Sequence, residues 1–289
     1  MSREELAAIP LQVRRLIEAA LEEDVASGDP TTEALVLGQE YGRAEAVARA
    51  PGVLAGTWVF AAVLTTYDPR LQVDPLRAEG SQVAPGEGVV AVSGSLASIL
   101  KAERVALNFL QRLSGIATET ARYVAAVAGL PVRIADTRKT VPGMRWLEKY
   151  AVRMGGGTNH RMSLSDGILV KDNHLAVVKA RGETFKAMVA RLRQRTSHLL
   201  KIQVEVETLE EATEATEGGA DALLLDQMPI EEIEQVVLRY QGRILIEASG
   251  GITLENVRRV AETGVDLISV GALTHSPRAL DISLEMYPP

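Results

Sequence analysis

Short apolar runs in the second half of this 289-residue chain each end in side chains that can do chemistry. Val132 to Ala135 runs into Asp136-Thr137-Arg138-Lys139-Thr140 and a Pro142-Gly143 turn. The stretch Gly155-Gly156-Gly157-Thr158-Asn159-His160-Arg161 comes next, then Leu169-Val170 followed by Lys171-Asp172-Asn173-His174. Glu205 and Glu207 close Lys201–Glu207, and Asp226 closes Leu223-Leu224-Leu225. Glu247-Ala248-Ser249-Gly250-Gly251 and Gly271, with Thr274-His275-Ser276 beyond it, complete the series. Early runs thus present cations, middle ones carboxylates, and late ones glycines and hydroxyls. Cations at the mouth of a buried strand cost desolvation energy unless an anion meets them. Arg138, Arg161 and Lys171, with Arg104, suit a small dianion, because arginine grips carboxylates with two parallel hydrogen bonds. Glu205 and Asp226 suit sugar hydroxyls or Mg²⁺. Ser249-Gly250-Gly251 and Gly271, placed before helix N-termini, suit a phosphate.

Each feature also has a plain alternative. Glycine pairs often only permit a turn, and Gly155-Gly156-Gly157 reads equally as a flexible connector. Asp226 before Met228-Pro229 fits a helix cap. His160, His174 and His275 fit ordinary hydrogen-bonded histidines, and the absence of an i, i+4 histidine pair argues against zinc. No single residue decides the matter; the recurrence across successive strand ends does.

These side chains need a scaffold of alternating elements. Strands are expected near 132–135, 168–171, 202–207, 222–226, 244–248 and 267–270, with helices at 144–154, 175–195, 209–217, 229–239 and 253–262. Gly218-Gly219, Gly242 and Gly264 fall where helix C-caps are expected. Repeated βα units imply a parallel sheet. In Lys201–Glu207, Ile202, Val204 and Val206 face one way, and Lys201, Gln203, Glu205 and Glu207 the other. A central strand of an open parallel sheet is apolar on both faces. A polar face therefore points to a barrel lumen, where strand C-termini carry the chemistry.

The first half reads as scaffold. Leu6, Ile9, Val13, Leu16, Ile17 and Leu21 predict a helix over 1–25, and Asp29-Pro30-Thr31 a turn that ends it. Residues 33–95 look β-rich around a helix over 57–67. A helix over 96–113, capped by Ser95 or Ser98, carries Leu100, Arg104, Leu107 and Gln111 on one stripe. Arg104 there either snorkels to water or is delivered to an anionic ligand, a role open to a contact between subunits. 

A net charge of −7 disfavours nucleic acid. There is no apolar run long enough for a membrane span, and Met1-Ser2-Arg3-Glu4-Glu5 does not open a signal peptide. Zero cysteines remove disulfides and thiolate metal sites. Together these lead to the expectation of a cytoplasmic protein.

The segments Glu103–Gln111, Asp136–Thr140, Gly155–Arg161, Leu169–His174, Val204–Glu207, Leu225-Asp226 and Glu247–Gly251, with Glu23-Asp24 and Ser27–Asp29, stand in the order found in one family. Over about residues 15–276 the chain resembles the quinolinate phosphoribosyltransferases. That resemblance implies an α/β protein with an N-terminal α/β sandwich domain, 1–112, and an incomplete, about seven-stranded parallel β/α barrel, 113–275, with 276–289 able to pack back on the first domain. It implies conversion of quinolinate and phosphoribosyl pyrophosphate to nicotinate mononucleotide, pyrophosphate and CO₂, with Mg²⁺. It also implies a homodimer, or a hexamer built as a trimer of dimers, in which Arg104 reaches the neighbour's site. By the same resemblance, Thr137, Arg138, His160, Arg161 and Lys171 bind substrate. Lys139 serves the pyrophosphate, Glu205 and Asp226 meet the ribose or Mg²⁺, and Ser249, Gly250 and Gly271 take the 5′-phosphate. The family pattern has Thr at Val141, Asn at Gln227 and often Asn at Thr208. Two rivals remain at this point: a relative acting on another substrate, and a non-catalytic phosphate-binding barrel.

Overall fold

A computed structural model describes residues 9–287. The chain begins with α1 (Leu11–Val25), α2 (Pro30–Leu35), β1 (Tyr41–Ala48), β2 (Gly52–Val53), α3 (Thr57–Tyr67), β3 (Gln72–Pro75), β4 (Gln82–Val83), β5 (Gly88–Ser95) and α4 (Leu96–Ala126). There follow β6 (Arg133–Ala135), α5 (Arg145–Met154), β7 (Ile168–Val170), α6 (Asp172–Ala180), α7 (Phe185–Arg195), β8 (Ile202–Val206) and α8 (Leu209–Glu217). The remainder is β9 (Ala222–Asp226), α9 (Ile230–Tyr240), β10 (Leu245–Ser249), α10 (Val257–Glu262), β11 (Leu267–Ser269), α11 (Ala272–His275) and β12 (Ile282–Tyr287). Two units result. One holds the chain up to Ala121, Thr140–Gly156 and everything from Leu273; the other holds Arg122–Lys139 and Gly157–Ala272.

The first unit is built on an antiparallel sheet of order β12-β1-β5-β3. Its outer strand β12 pairs with β1 from Arg43↔Tyr287 to Ala48↔Ile282. Helix α3 is buried along most of its length, from Val59 to Thr65, and α1 buries Val13, Ile17 and Leu21, the spacing its sequence shows. The part of the predicted helix over 1–8 lies outside the described residues. Asp29 does more than end a helix. Its Oδ1 accepts the amides of Thr31 (3.0 Å) and Thr32 (3.2 Å), so it starts α2 with Pro30 in the first turn.

Helix α4 is capped by Ser95, whose Oγ accepts the Ser98 amide at 3.3 Å. It runs well past residue 113, where the sequence suggested a stop. Gly115 does not break it, because a Cβ there would lie 2.1 Å from the Arg278 carbonyl oxygen. Glycine is present for that close backbone approach. The buried stripe is Ile99, Ala102, Ala106, Leu110, Leu113 and Ala117, so Arg104 stands off it and is exposed.

Also in the first unit, Glu148 on α5 is fully buried. It accepts from Arg112 through Nε (2.9 Å) and Nη2, and from the Val141 amide (3.2 Å). Arg112 Nη2 also donates to the Thr274 carbonyl at 3.1 Å. This clamp fixes the backbone that directly follows the Arg138-Lys139 run.

The second unit is a parallel sheet of order β6-β11-β10-β9-β8-β7, with every pair in parallel register. β6 and β7 are its two edges, so the barrel is open between them. Six strands replace the expected seven or so. A seventh is reduced to one bridge on the outer edge of β6, where the Thr158 amide donates to Ile134 (2.8 Å) and the Asp136 amide to Thr158 (3.1 Å). Ile202, Val204 and Val206 are buried, as are α8 residues Ala212 and Ala215 and α9 residues Ile233 and Val236. On the other face Gln203 and Glu205 are buried too, because that face lines the lumen. The single helix expected over 175–195 is two. Gly182 ends α6, and the Thr184 hydroxyl caps α7 by accepting the Ala187 amide at 3.2 Å.

Replacing Arg112 by Ala leaves the buried Glu148 carboxylate without its charge partner. The variant is expected to lose about 3 kcal/mol of stability in chemical denaturation, with little recovery in Arg112→Lys.

Candidate active site at the strand ends

The second unit brings most of the strand-end residues together. Asp136 closes β6 and is fully buried. It is a framework residue: its Oδ1 accepts the His160 backbone amide at 2.8 Å and its Oδ2 the side-chain Nδ2 of Asn159 at 2.6 Å. These bonds tie the segment before Arg161 to the strand that delivers Arg138. Thr137 Oγ1 accepts the Lys139 amide at 3.0 Å, which shapes the turn carrying both cations. Arg138 is half-buried and Lys139 exposed.

Arg161 is half-buried and donates through Nη1 to the Gly167 carbonyl at 2.9 Å. Burial, and then the positive charge of Arg138, pull its pKa below the ordinary arginine value, against the pull of Asp166. Two guanidinium groups close enough to repel are stabilised by an anion with more than one negative charge.

Across the lumen, Lys171 Nζ donates to Glu205 Oε2 at 3.1 Å, and the Asp172 amide to Glu205 Oε1 at 3.3 Å. A cation and a carboxylate assigned to different ligand groups are thus partners in the free protein. His174 has a structural task, accepting the Lys171 amide on Nδ1 at 2.9 Å at the start of α6. A cavity of about 200 Å³ beside Glu205 is bordered by Asp172, Lys179, Glu207 and Glu211.

Asp226 ends β9 directly opposite Ser249 on β10. It does not cap α9, whose cap position is Pro229. Gln227 has φ of 54°, the single non-glycine residue with positive φ among the described residues. Its amide donates to the Ser249 carbonyl at 2.9 Å and its Nε2 to Asp226 Oδ2 at 3.3 Å. Gly250 answers it. A Cβ there would lie 2.4 Å from Gln227 Cγ and 3.0 Å from Asp226 Oδ1, and φ is +85°. Gly250 is therefore required both by space and by backbone conformation.

No helix N-terminus stands directly behind this glycine pair. α10 begins only at Val257, because Asn256 holds an intervening loop, accepting the Thr253 amide (2.8 Å) and donating to the Gly251 carbonyl (2.9 Å). Gly271 directly precedes α11, which has four residues. Of the departures, Thr208 caps α8 through the Glu211 amide at 3.2 Å, and Val141 uses its backbone rather than its side chain. Arg104 is in the first unit, on a cavity of about 380 Å³ shared with Glu23, Asp24, Asn108 and Arg112.

Glu247 has no task in the chemistry that the sequence suggests. It sits on β10 with 2% exposure, and its Oε2 accepts from Gln203 Nε2 at 2.8 Å. The usable signal was a charge in the otherwise apolar run Ile244-Leu245-Ile246-Glu247-Ala248. Among the described residues no group of three or more His, Cys, Asp or Glu side chains is arranged to hold a metal ion, and no helix is long and apolar enough to cross a membrane.

A two-unit chain with an incomplete parallel barrel and charged groups gathered at its strand ends belongs to the barrel enzymes. The comparisons with known proteins specify which. Residues 29–114 match the quinolinate phosphoribosyl transferase N-terminal domain, and residues 116–285 match the C-terminal domain of the same family. A probable nicotinate-nucleotide pyrophosphorylase [carboxylating] of Bacillus subtilis is 41% identical over 276 residues, covering 96% of this chain and 94% of the relative. The human nicotinate-nucleotide pyrophosphorylase [carboxylating] is 41% identical over 294 residues, covering 99% and 96%. The crystal structure of NadC from Streptococcus pyogenes superposes with a TM-score of 0.91 at 41% identity, over 97% of this chain and 98% of that one. The chain belongs to the quinolinate phosphoribosyltransferase family.

A left-handed conformation costs a non-glycine residue about 1–2 kcal/mol. Gln227→Gly is therefore expected to raise stability by roughly 0.5–1 kcal/mol after the greater chain entropy of glycine is counted, with Gln227→Asn in between. Paired denaturation curves of the three proteins check this.

Proposed function

We propose that this enzyme transfers the phosphoribosyl group of phosphoribosyl pyrophosphate to quinolinate and decarboxylates it, giving nicotinate mononucleotide, pyrophosphate and CO₂ for NAD biosynthesis. The observation that carries this reading is the mutually repelling pair Arg138 and Arg161, in loops of the unit whose parallel sheet carries the carboxylates Glu205 and Asp226.

In this scheme Arg138, Arg161 and Lys171, with Thr137 and His160 beside them, hold the dicarboxylate. Lys171 exchanges its bond to Glu205 for the ligand, which frees Glu205 to face the ribose. Ser249, Gly250 and Gly271 take the 5′-phosphate. Loss of pyrophosphate leaves an electron-poor sugar carbon of oxocarbenium character. Glu205 and Asp226 stabilise that charge, and Lys139 stabilises the departing pyrophosphate. The pyridine nitrogen attacks the opposite face. Its new positive charge then accepts the electron pair released as CO₂ leaves, and a proton from solvent replaces the lost carboxylate. No general base is required, which suits a site made of cations and positioning.

Mg²⁺ is the proposed cofactor. It commonly uses one or two carboxylates together with substrate phosphates, so Glu205 and Asp226 suffice as protein ligands. When bound it neutralises charge on the pyrophosphate leaving group. The proposed assembly is a homodimer, or a trimer of dimers, in which the exposed Arg104 completes a neighbour's dicarboxylate site.

Purified enzyme with phosphoribosyl pyrophosphate and Mg²⁺ is expected to consume quinolinate and release CO₂, and to leave nicotinate untouched. Turnover of nicotinate alone would refute the dicarboxylate reading. Arg138→Ala and Arg161→Ala should each raise the quinolinate KM roughly 10- to 100-fold, the loss typical of charged hydrogen bonds, while sparing phosphoribosyl pyrophosphate binding. Glu205→Ala and Asp226→Ala should abolish product formation in folded protein. Mixing inactive Arg104→Ala with inactive Lys139→Ala subunits should restore part of the activity; no recovery after demonstrated subunit exchange rejects a shared site.

A further inference from the structure

Beneath the cations the barrel lumen holds a carboxylate that the reaction scheme leaves without a task. Glu247 Oε2 accepts from Gln203 Nε2 at 2.8 Å and faces His160 Nε2 at 3.4 Å. Its other oxygen, Oε1, is buried with no hydrogen-bond partner. A buried carboxylate oxygen without a donor is costly, and such cost tends to persist where a site requires it.

The ring of His160 links this carboxylate to the cation pair. Its Nδ1 accepts the backbone amide of Arg161 at 2.7 Å. An atom that accepts an amide proton carries none of its own, so the proton of the neutral ring sits on Nε2, toward Glu247. Both ring nitrogens are therefore turned inward, one to the carboxylate and one to the arginine backbone. The His160 amide is held in addition by Asp136. Burial works to raise the Glu247 pKa, but the hydrogen bonds it receives, first from His160 and then from Gln203, outweigh it and hold the carboxyl below its ordinary value.

We infer that Glu247 is a positioning residue for dicarboxylate binding. Through His160 it fixes the ring tautomer that receives the Arg161 amide, and so sets where the Arg161 guanidinium stands beside Arg138. His160 then acts as a spacer between carboxylate and arginine. A metal ligand shows the same logic when an outer carboxylate fixes its histidine; here the oriented group is an arginine. The inference rests on the proposed quinolinate activity.

The test pairs kinetics with nitrogen NMR on the full-length enzyme. In wild-type protein, ¹⁵N-histidine spectra should show His160 with its proton on Nε2; a proton on Nδ1 overturns the inference whatever the variants do. Glu247→Gln keeps the shape and removes the charge. It should raise the quinolinate KM roughly tenfold, as expected for a weakened charged hydrogen bond, leave the phosphoribosyl pyrophosphate KM within about twofold, and turn the His160 signal into a mixture of tautomers. A folded Glu247→Gln enzyme with unchanged quinolinate KM also overturns it. Should that variant not fold, the wild-type spectrum still decides. If wild-type enzyme does not use quinolinate, the proposed activity fails, and the tautomer reports on the Glu247–His160 link separately.

Discussion

Holding like charges side by side is the constraint on which the second unit turns. Arg138 and Arg161 oppose one another while half-buried, and neither could be kept there by an apolar barrel. The answer lies in the face of the sheet that turns inward. Asp136, Gln203, Glu205, Glu247 and Ser269 are all buried, and Asp136, Glu205 and Glu247 give the cation-bearing segments fixed partners from below. A protein of net charge −7 thus builds a local positive field from the loops and restrains it from the strands. Electrostatic preorganisation of this kind costs nothing at the moment of reaction, because the groups do not reorient.

The opening between β6 and β7 follows from the same arrangement. Thr158 bridges to β6 for one residue only, and the chain then leaves the sheet as Asn159-His160-Arg161. A longer strand would have carried those side chains alternately inward and outward along the wall. By stopping at one bridge, the backbone is free to turn the His160 amide to Asp136 and the Arg161 amide to the His160 ring. The missing closure of the barrel and the placement of Arg161 are one structural event.

Much of this was legible in the sequence for a simple reason: parallel strands with a polar lumen write an alternating pattern. Ile202, Val204 and Val206 against Gln203 and Glu205 announced β8 and its faces, and the order of strand-end residues announced the site. What stayed hidden depends on contacts distant along the chain. Helix α4 continues through Gly115 because the Arg278 backbone lies against it, which no local propensity reports. The break between α6 and α7 turns on a threonine cap that competes weakly with helix continuation in a sequence window. Asp136 reads as one more strand-end acid until His160 and Asn159 are seen to donate to it. Gln227 looked like a mild departure at a ligand-flanking position; only its positive φ shows that the backbone is strained there.

Strand β12 carries a consequence for how the protein is made. It pairs with β1 between residues as far apart as Arg43 and Tyr287, so the first sheet cannot be completed until nearly all of the described chain has been synthesised. During translation β1 waits with one edge uncovered, while every strand of the parallel sheet has already emerged. Contacts of such long separation close late and slowly, and an open strand edge is a template for wrong partners in the interval. The parallel sheet, the more demanding piece chemically, is therefore free to assemble before the simpler scaffold is sealed, and the vulnerable period of biogenesis belongs to the scaffold.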